Sequence, residues 1–214
     1  MISGSNTQQD HALSLLKRQG MARLSEFTKA GVTAATVSRM KQKGLITRLG
    51  RGLYQLSDIA LDANHTLAEA AKQVPRGTVC LVSALAFHDL TDTIPSRVWM
   101  AIGPKDRHSR ITHPPLQLVR FKPELLRAGV ETHVVEGVAV SIYSPAKTVV
   151  DLFRYRKRAG VRYRHSTGLN LAIEGLREAL RTRKATPAEI AKYAMEAGIW
   201  KIMQPYLEAM TTNA

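Results

Sequence analysis

Between residues 24 and 56 the chain runs, without a break, through the pattern of a short helix, a sharp turn, a second helix and a two-stranded hairpin. Few small folds accommodate that order of elements. Leu24-Ser-Glu-Phe-Thr-Lys-Ala-Gly31 ends on a glycine, which lets the backbone reverse between two crossing helices without steric penalty. Thr33 then stands where a second helix needs its cap. At about 100° per residue, Val37 and Met40 fall on one side of that helix, and Ala34, Ala35, Ser38, Arg39 and Gln42 on the other. One side suits a core, and the other is free to read a surface. Gly44 closes the helix as a residue that accepts the left-handed terminal conformation. Residues 45–49 and 53–56 flank Gly50-Arg51-Gly52 as a β-hairpin wing.

Charge narrows what such a module would meet. The chain of 214 residues carries a formal net charge of +14. It is unevenly placed, at +6 over residues 1–60, +2 over 61–150 and +6 over 151–214. A field concentrated at the two ends suits a molecule whose outer segments face a polyanion. Duplex DNA fits best, with Thr33, Ala34, Ala35, Ser38, Arg39 and Gln42 toward the major groove. The alanines suit thymine methyl groups and Arg39 suits a guanine edge. Lys41, Lys43, Arg48 and Arg51 are placed to neutralise phosphates. The competing use of such a module is protein docking or dimerisation.

The length leads us to expect two domains. These are a winged helix-turn-helix over residues 1–60 and an α+β unit over residues 61–214. The expected fold class is therefore α+β, an N-terminal winged helix-turn-helix followed by a mixed α/β domain with a helical C-terminal part. In the second domain, residues 65–74 have helical spacing and residues 78–82 read as a buried strand. Ser83 is expected to cap a short helix reaching residue 90. Residues 98–102 and 116–121 read as strands, and 130–135 with 138–143 as a hairpin around Glu136-Gly137. Ser144-Pro145 opens a helix to about Tyr155, with Val149, Leu152 and Phe153 inward. Helices at 169–183, from Thr186-Pro187 and at 200–210 complete the pattern.

Cys80 is the only cysteine, so no internal disulfide and no cysteine-rich zinc site can form. Its apolar neighbours mark it as a buried hydrophobe. Neither a signal peptide nor an apolar run approaching the roughly 20 residues of a membrane helix is present, and a soluble, cytoplasmic protein without a membrane partner is expected.

The chemistry-bearing residues are sparse. His108 and His113 have neither the spacing nor the flanking carboxylates of a zinc helix, and Asp89 with Asp92, which could bind a divalent ion, read more simply as capping or solvated groups, so neither a metal nor another cofactor is expected. Glu136, Lys147 and Asp151 offer the carboxylates and lysine of a Mg²⁺-dependent nucleic-acid enzyme targeted by the winged segment, which is the alternative function. Lys147 and Asp151, four apart on one helix, are more simply a solvent-facing or interhelical ion pair. A loop at 103–115 with Lys105, Arg107, His108, Arg110 and His113 reads equally as a contact arm or a solvated excursion. The densest basic cluster comprises Arg154, Arg156, Lys157, Arg158, Arg162 and Arg164 with Tyr155 and Tyr163. It suits a nucleic-acid or acidic-protein contact, or simply a cation-rich helix end.

Three ordered stretches carry a resemblance. They are Gly50-Arg51-Gly52-Leu53-Tyr54, then Ser83-Ala84-Leu85 with His88-Asp89-Leu90-Thr91, and Tyr143-Ser144-Pro145-Ala146-Lys147-Thr148-Val149-Val150-Asp151-Leu152-Phe153. In this layout the chain resembles the AbiEi-type antitoxin and regulator family of type IV toxin–antitoxin systems. The resemblance implies a non-enzymatic repressor that binds repeated sites in its own promoter. It also implies a second domain that counters a nucleotidyltransferase-like toxin, by touching the toxin or by acting on its target. No antitoxin role carries over to the helical tail after Gly168.

Overall fold

The computed structural model describes residues 7–107, 111, 113–156 and 167–212. It is a mixed α+β protein with two sheets, one of three strands and one of five. The chain divides into two compact units, each with its own core. The first takes Met1–Pro75 together with His108–Pro115 and His133–Val140, and the second takes Arg76–Arg107, Leu116–Thr132 and Ser141–Ala214.

In the first unit the elements follow as α1 (Gln8–Gln19), β1 (Met21–Arg23), α2 (Leu24–Lys29), α3 (Ala34–Gln42), β2 (Ile46–Gly50), β3 (Leu53–Leu56) and α4 (His65–Gln73). A capping box starts α1: the Asp10 amide donates to the Thr7 hydroxyl at 3.2 Å, and Asp10 Oδ2 accepts from the Thr7 N–H at 3.0 Å. The sheet is antiparallel in the order β1-β3-β2, with a register shift between Arg48 and Gly50. Ala12, Leu15, Leu16, Ala22, Phe27, Val32, Val37, Met40 and Ile46 form its core. Phe27 meets Tyr54 edge-on, with ring centroids 6.1 Å apart.

Distant segments complete this unit. Glu136, in the turn of a later hairpin, pairs through Oε2 with His65 Nδ1 at 2.7 Å and accepts the Asp62 N–H at 2.7 Å. Its carbonyl lies so close to Gly20 that a Cβ built there would stand 1.7 Å from the oxygen, so only glycine fits. From α4, Gln73 Nε2 donates to Glu69 Oε1 at 3.0 Å and to the His113 carbonyl at 2.6 Å.

Glu69 is fully buried, its second oxygen has no hydrogen-bond partner, and burial raises its pKa from 4.5. Below about pH 4.5 the carboxyl is protonated in both folded and unfolded chains. As pH rises above that value the unfolded chain ionises first, and folding loses stability. Glu69→Gln keeps the bond from Gln73 and removes this penalty. Thermal denaturation is expected to show the variant matching the parent at acid pH and melting higher at pH 7. Equal melting at both would mean that Glu69 is solvated.

The second unit runs β4 (Thr78–Val79), α5 (Leu81–Phe87), β5 (Val98–Ile102), β6 (Leu116–Arg120), α6 (Pro123–Arg127), β7 (Val130–Val135), β8 (Val138–Tyr143), α7 (Pro145–Tyr155), α8 (Leu169–Arg181), α9 (Pro187–Glu196) and α10 (Trp200–Thr211). The turn of the β7–β8 hairpin is counted with the first unit. Strand order is β6-β5-β4-β8-β7, parallel between β5 and β6 and between β4 and β8, and antiparallel between β4 and β5. Helix α7 is buried from Ala146 to Phe153, with α5, α8 and α9 packed on it. Its inward face is therefore much wider than Val149, Leu152 and Phe153 alone.

Two local expectations differ from the structure. The strand expected over 78–82 stops at Val79, because Leu81, at φ +48°, turns the chain directly into α5. Ser83 lies inside that helix and caps nothing. Its hydroxyl accepts the Trp99 N–H at 2.9 Å and donates to the Arg97 carbonyl at 3.3 Å, pinning α5 to the start of β5.

Candidate nucleic-acid interface

The turn between α2 and α3 is built by backbone bonds. Val32 N–H returns to the Phe27 carbonyl at 2.9 Å and Gly31 N–H to Thr28 at 3.1 Å, and Gly31 takes φ +78°. Glu26 stabilises the start of α2 by accepting the Arg23 N–H at 2.6 Å. Thr33 caps α3, its hydroxyl accepting the Thr36 N–H at 3.3 Å. Val37 and Met40 are buried over Phe27, and this fixes which side of α3 faces outward.

That outward side holds the residues expected from the sequence. Thr33, Ala34, Ala35, Ser38, Arg39 and Gln42 are all exposed, as are Lys41 and Lys43 on the last turn. Gly44 has φ +72°, and Leu45 N–H closes the end of α3 onto the Met40 carbonyl at 3.1 Å. The hairpin then presents Arg48 and Arg51, both exposed, with Arg48 Nε donating to the Gly50 carbonyl at 2.9 Å. Cations thus flank a helix face that carries no acidic side chain.

Two features had no counterpart in the sequence reading. Thr36 is buried, and Gln8 of α1 sits against the start of α3, its Oε1 taking the Thr36 hydroxyl at 2.7 Å and the Thr33 N–H at 3.1 Å. A groove of about 400 Å³ runs there, lined by Gln8, Thr33, Thr36, Arg39 and Lys43 among others. Thr7 and Asp10 have the spacing of a capping pair for α1, a signal that could have found this helix, but no local pattern marks Gln8.

The matched segment begins inside α1 and ends just after β3. Residues 12–57 match the family of AbiEi antitoxins, described as transcriptional regulators. The AbiEi match therefore spans the core of the first unit and the whole outward face of α3. The chain is also similar to the crystal structure of the RV2827C protein from Mycobacterium tuberculosis, at a TM-score of 0.56 and 12% identity, over 88% of this chain and 71% of that one. At that identity the likeness concerns the fold alone. No curated protein matches.

The second basic cluster is described only at its start. Arg154 Nη1 donates to Asp151 Oδ1 at 3.0 Å and its guanidinium lies 5.2 Å from the Phe121 ring centre, and Arg156 donates to the Phe153 carbonyl. Arg154 is thus engaged both by its own helix and by Phe121. Lys157, Arg158, Arg162 and Arg164 lie outside the described residues.

Lys147 and Asp151 are a buried pair, and not the solvent-facing or interhelical one expected. Their side chains are 1% and 0% exposed and 2.6 Å apart. Covering helices determine this outcome, which an i,i+4 spacing leaves open. Burial pushes the Lys147 ammonium below its usual pKa, with Asp151 opposing that shift, and burial raises the Tyr143 hydroxyl and the Cys80 thiol. Lys147 Nζ also lies 4.9 Å from the Tyr143 ring centre and 5.2 Å from that of Phe121.

Of the other candidates, Asp89 Oδ2 faces Lys184 Nζ at 3.3 Å. His113 Nε2 stands 3.6 Å from Glu69 Oε2, and His108 and Arg110 lie outside the described residues. Residues 103–107 are tied down by Arg120, which donates to the Gly103, Pro104 and Asp106 carbonyls at 2.8, 2.9 and 3.1 Å. Among the described residues no group of three or more His, Cys, Asp or Glu is arranged to hold a metal, and no helix is long and apolar enough to cross a membrane.

Proposed function

We propose that the first unit is a winged helix-turn-helix that binds duplex DNA sequence-specifically, and that the protein represses its own operon from the cytoplasm as a non-enzymatic antitoxin. The single observation that carries this reading is the outward face of α3. Thr33, Ala34, Ala35, Ser38, Arg39 and Gln42 are all solvent-exposed on a helix whose opposite side is locked in a core. Lys41, Lys43, Arg48 and Arg51 stand exposed beside it for phosphates. The AbiEi match over residues 12–57 supports the regulatory and antitoxin role, and the resemblance of the three ordered stretches implies that the toxin opposed by the second unit is nucleotidyltransferase-like. The non-enzymatic reading is supported by the engagement of the residues that a Mg²⁺ site would need. Glu136 is bound to His65 and Asp62, while Lys147 and Asp151 are bound to each other.

The test is equilibrium binding of the full chain to its promoter and to a set of single-base variants at several salt concentrations. Arg39→Ala is expected to cost about 1–3 kcal/mol at one base position and little elsewhere. Arg51→Ala is expected to weaken all sequences alike and to lower the salt slope by about 1. If both variants bind like the parent, the assignment of this face is wrong.

A further inference from the structure

Arg39 is exposed, and among the described residues its guanidinium makes one hydrogen bond, from Nη2 to the Thr36 hydroxyl at 3.2 Å. Thr36 is itself 7% exposed and is held from the far side, where its hydroxyl donates to Gln8 Oε1 at 2.7 Å. The same amide oxygen receives the Thr33 N–H and hydroxyl, each at 3.1 Å. The donors converging on one atom fix which end of the amide is oxygen. They also tie the first turn of α1 to the cap of α3. With the Thr36 proton committed to Gln8, that hydroxyl acts as an acceptor toward the arginine, and the Thr33 hydroxyl stands 3.0 Å from the same oxygen.

We infer that Gln8 is a positioning residue for base readout, its amide oxygen orienting Arg39 through Thr36. This inference rests on the proposal that α3 reads DNA. An unrestrained surface arginine samples many rotamers, and bidentate recognition of a guanine edge needs one of them. A relay anchored outside the reading helix reduces the ordering left to be done on binding. The groove between α1 and α3, whose lining includes Gln8, Thr36, Arg39 and Lys43, leaves room for this side chain to swing inward once the relay is cut.

The experiment is a double-mutant cycle on the full chain, read against the promoter and its single-base variants. Gln8→Ala is expected to lose affinity for the promoter by about three- to tenfold. The loss should fall at the base position where Arg39→Ala acts, with discrimination there flattened. The double variant Gln8→Ala/Arg39→Ala should bind like Arg39→Ala alone, because a brace has no effect once its object is gone. Gln8→Glu keeps the acceptor oxygen and should restore discrimination at that position, while binding every sequence more weakly through its added negative charge. Melting temperatures of all variants separate these effects from unfolding.

If Gln8→Ala discriminates like the parent, or its loss adds fully to that of Arg39→Ala, the relay is overturned while DNA reading by α3 stands. If Arg39→Ala leaves discrimination unchanged while the parent binds its promoter specifically, the relay is overturned too, since Arg39 then reads nothing. If the parent shifts no duplex, the DNA-binding proposal itself falls, and the relay with it.

Discussion

Truncating Asp151 to alanine is expected to destabilise the second unit by about 3–5 kcal/mol, the usual consequence of leaving a buried charge without its partner. Asp151 Oδ2 is 2.6 Å from Lys147 Nζ and Oδ1 is 3.0 Å from Arg154 Nη1, with the lysine and aspartate side chains both buried. Without the carboxylate, the Lys147 ammonium is left against the Phe121 and Tyr143 rings, with Arg154 acting on it as a like charge. The sign of the pH dependence follows. Burial already holds the folded-state pKa of Lys147 below 10.5, and removing its counter-ion lowers it further. Between that lowered value and 10.5 the unfolded chain binds more protons than the folded one, so the stability of the variant should climb with pH. Chemical denaturation between neutral and alkaline pH measures both effects. Replacing the pair together, as Lys147→Met with Asp151→Leu, is expected to recover most of the loss. An Asp151→Ala protein as stable as the parent would mean that water reaches this pair.

Phe27→Ala is expected to remove about 3–5 kcal/mol from the first unit. Phe27 is fully buried, stands edge-on to Tyr54 and packs in the cluster that also holds Val37 and Met40. Its loss leaves a cavity beneath α3, and the outward face of that helix is then no longer held at a fixed angle. Promoter binding should weaken for every sequence together with the melting transition of this unit. That separates the core residue from Arg39, whose replacement should change one base position and leave melting intact. Unchanged melting in Phe27→Ala would show that α3 does not depend on this packing.

How much of this was readable in advance follows from how far each signal reaches along the chain. Gly31, Thr33, Gly44 and Gly50-Arg51-Gly52 act on backbone conformation within about four residues. The boundaries of α2, α3, β2 and β3 were legible for that reason. So was the outward set on α3, because burying Val37 and Met40 leaves no freedom in how the helix rotates. Helix α1 is marked in the same local way by Thr7, Asp10 and the spacing of Ala12, Leu15 and Leu16. Ser83 misled because a serine before an apolar run looks like a cap. Whether it acts as one depended on Trp99 offering an N–H from β5.

Burial was not legible. Lys147 and Asp151 at i,i+4 look the same on a wet helix as on a covered one, and only the packing of α5, α8 and α9 on α7 makes the difference. Gln8 likewise carries no mark of its bonds to Thr33 and Thr36, which stand 25 and 28 positions away. The sequence alone determined the order of elements, the polarity of the α3 face and the positive charge, since these depend on short-range backbone preference and on composition. Tertiary structure alone decided that Glu136 closes on Gly20 and His65, that an ion pair is sealed from water and that α1 supports the start of α3. Desolvation and distant hydrogen bonds are set by which remote segments cover a residue, a property that no stretch of the chain holds locally.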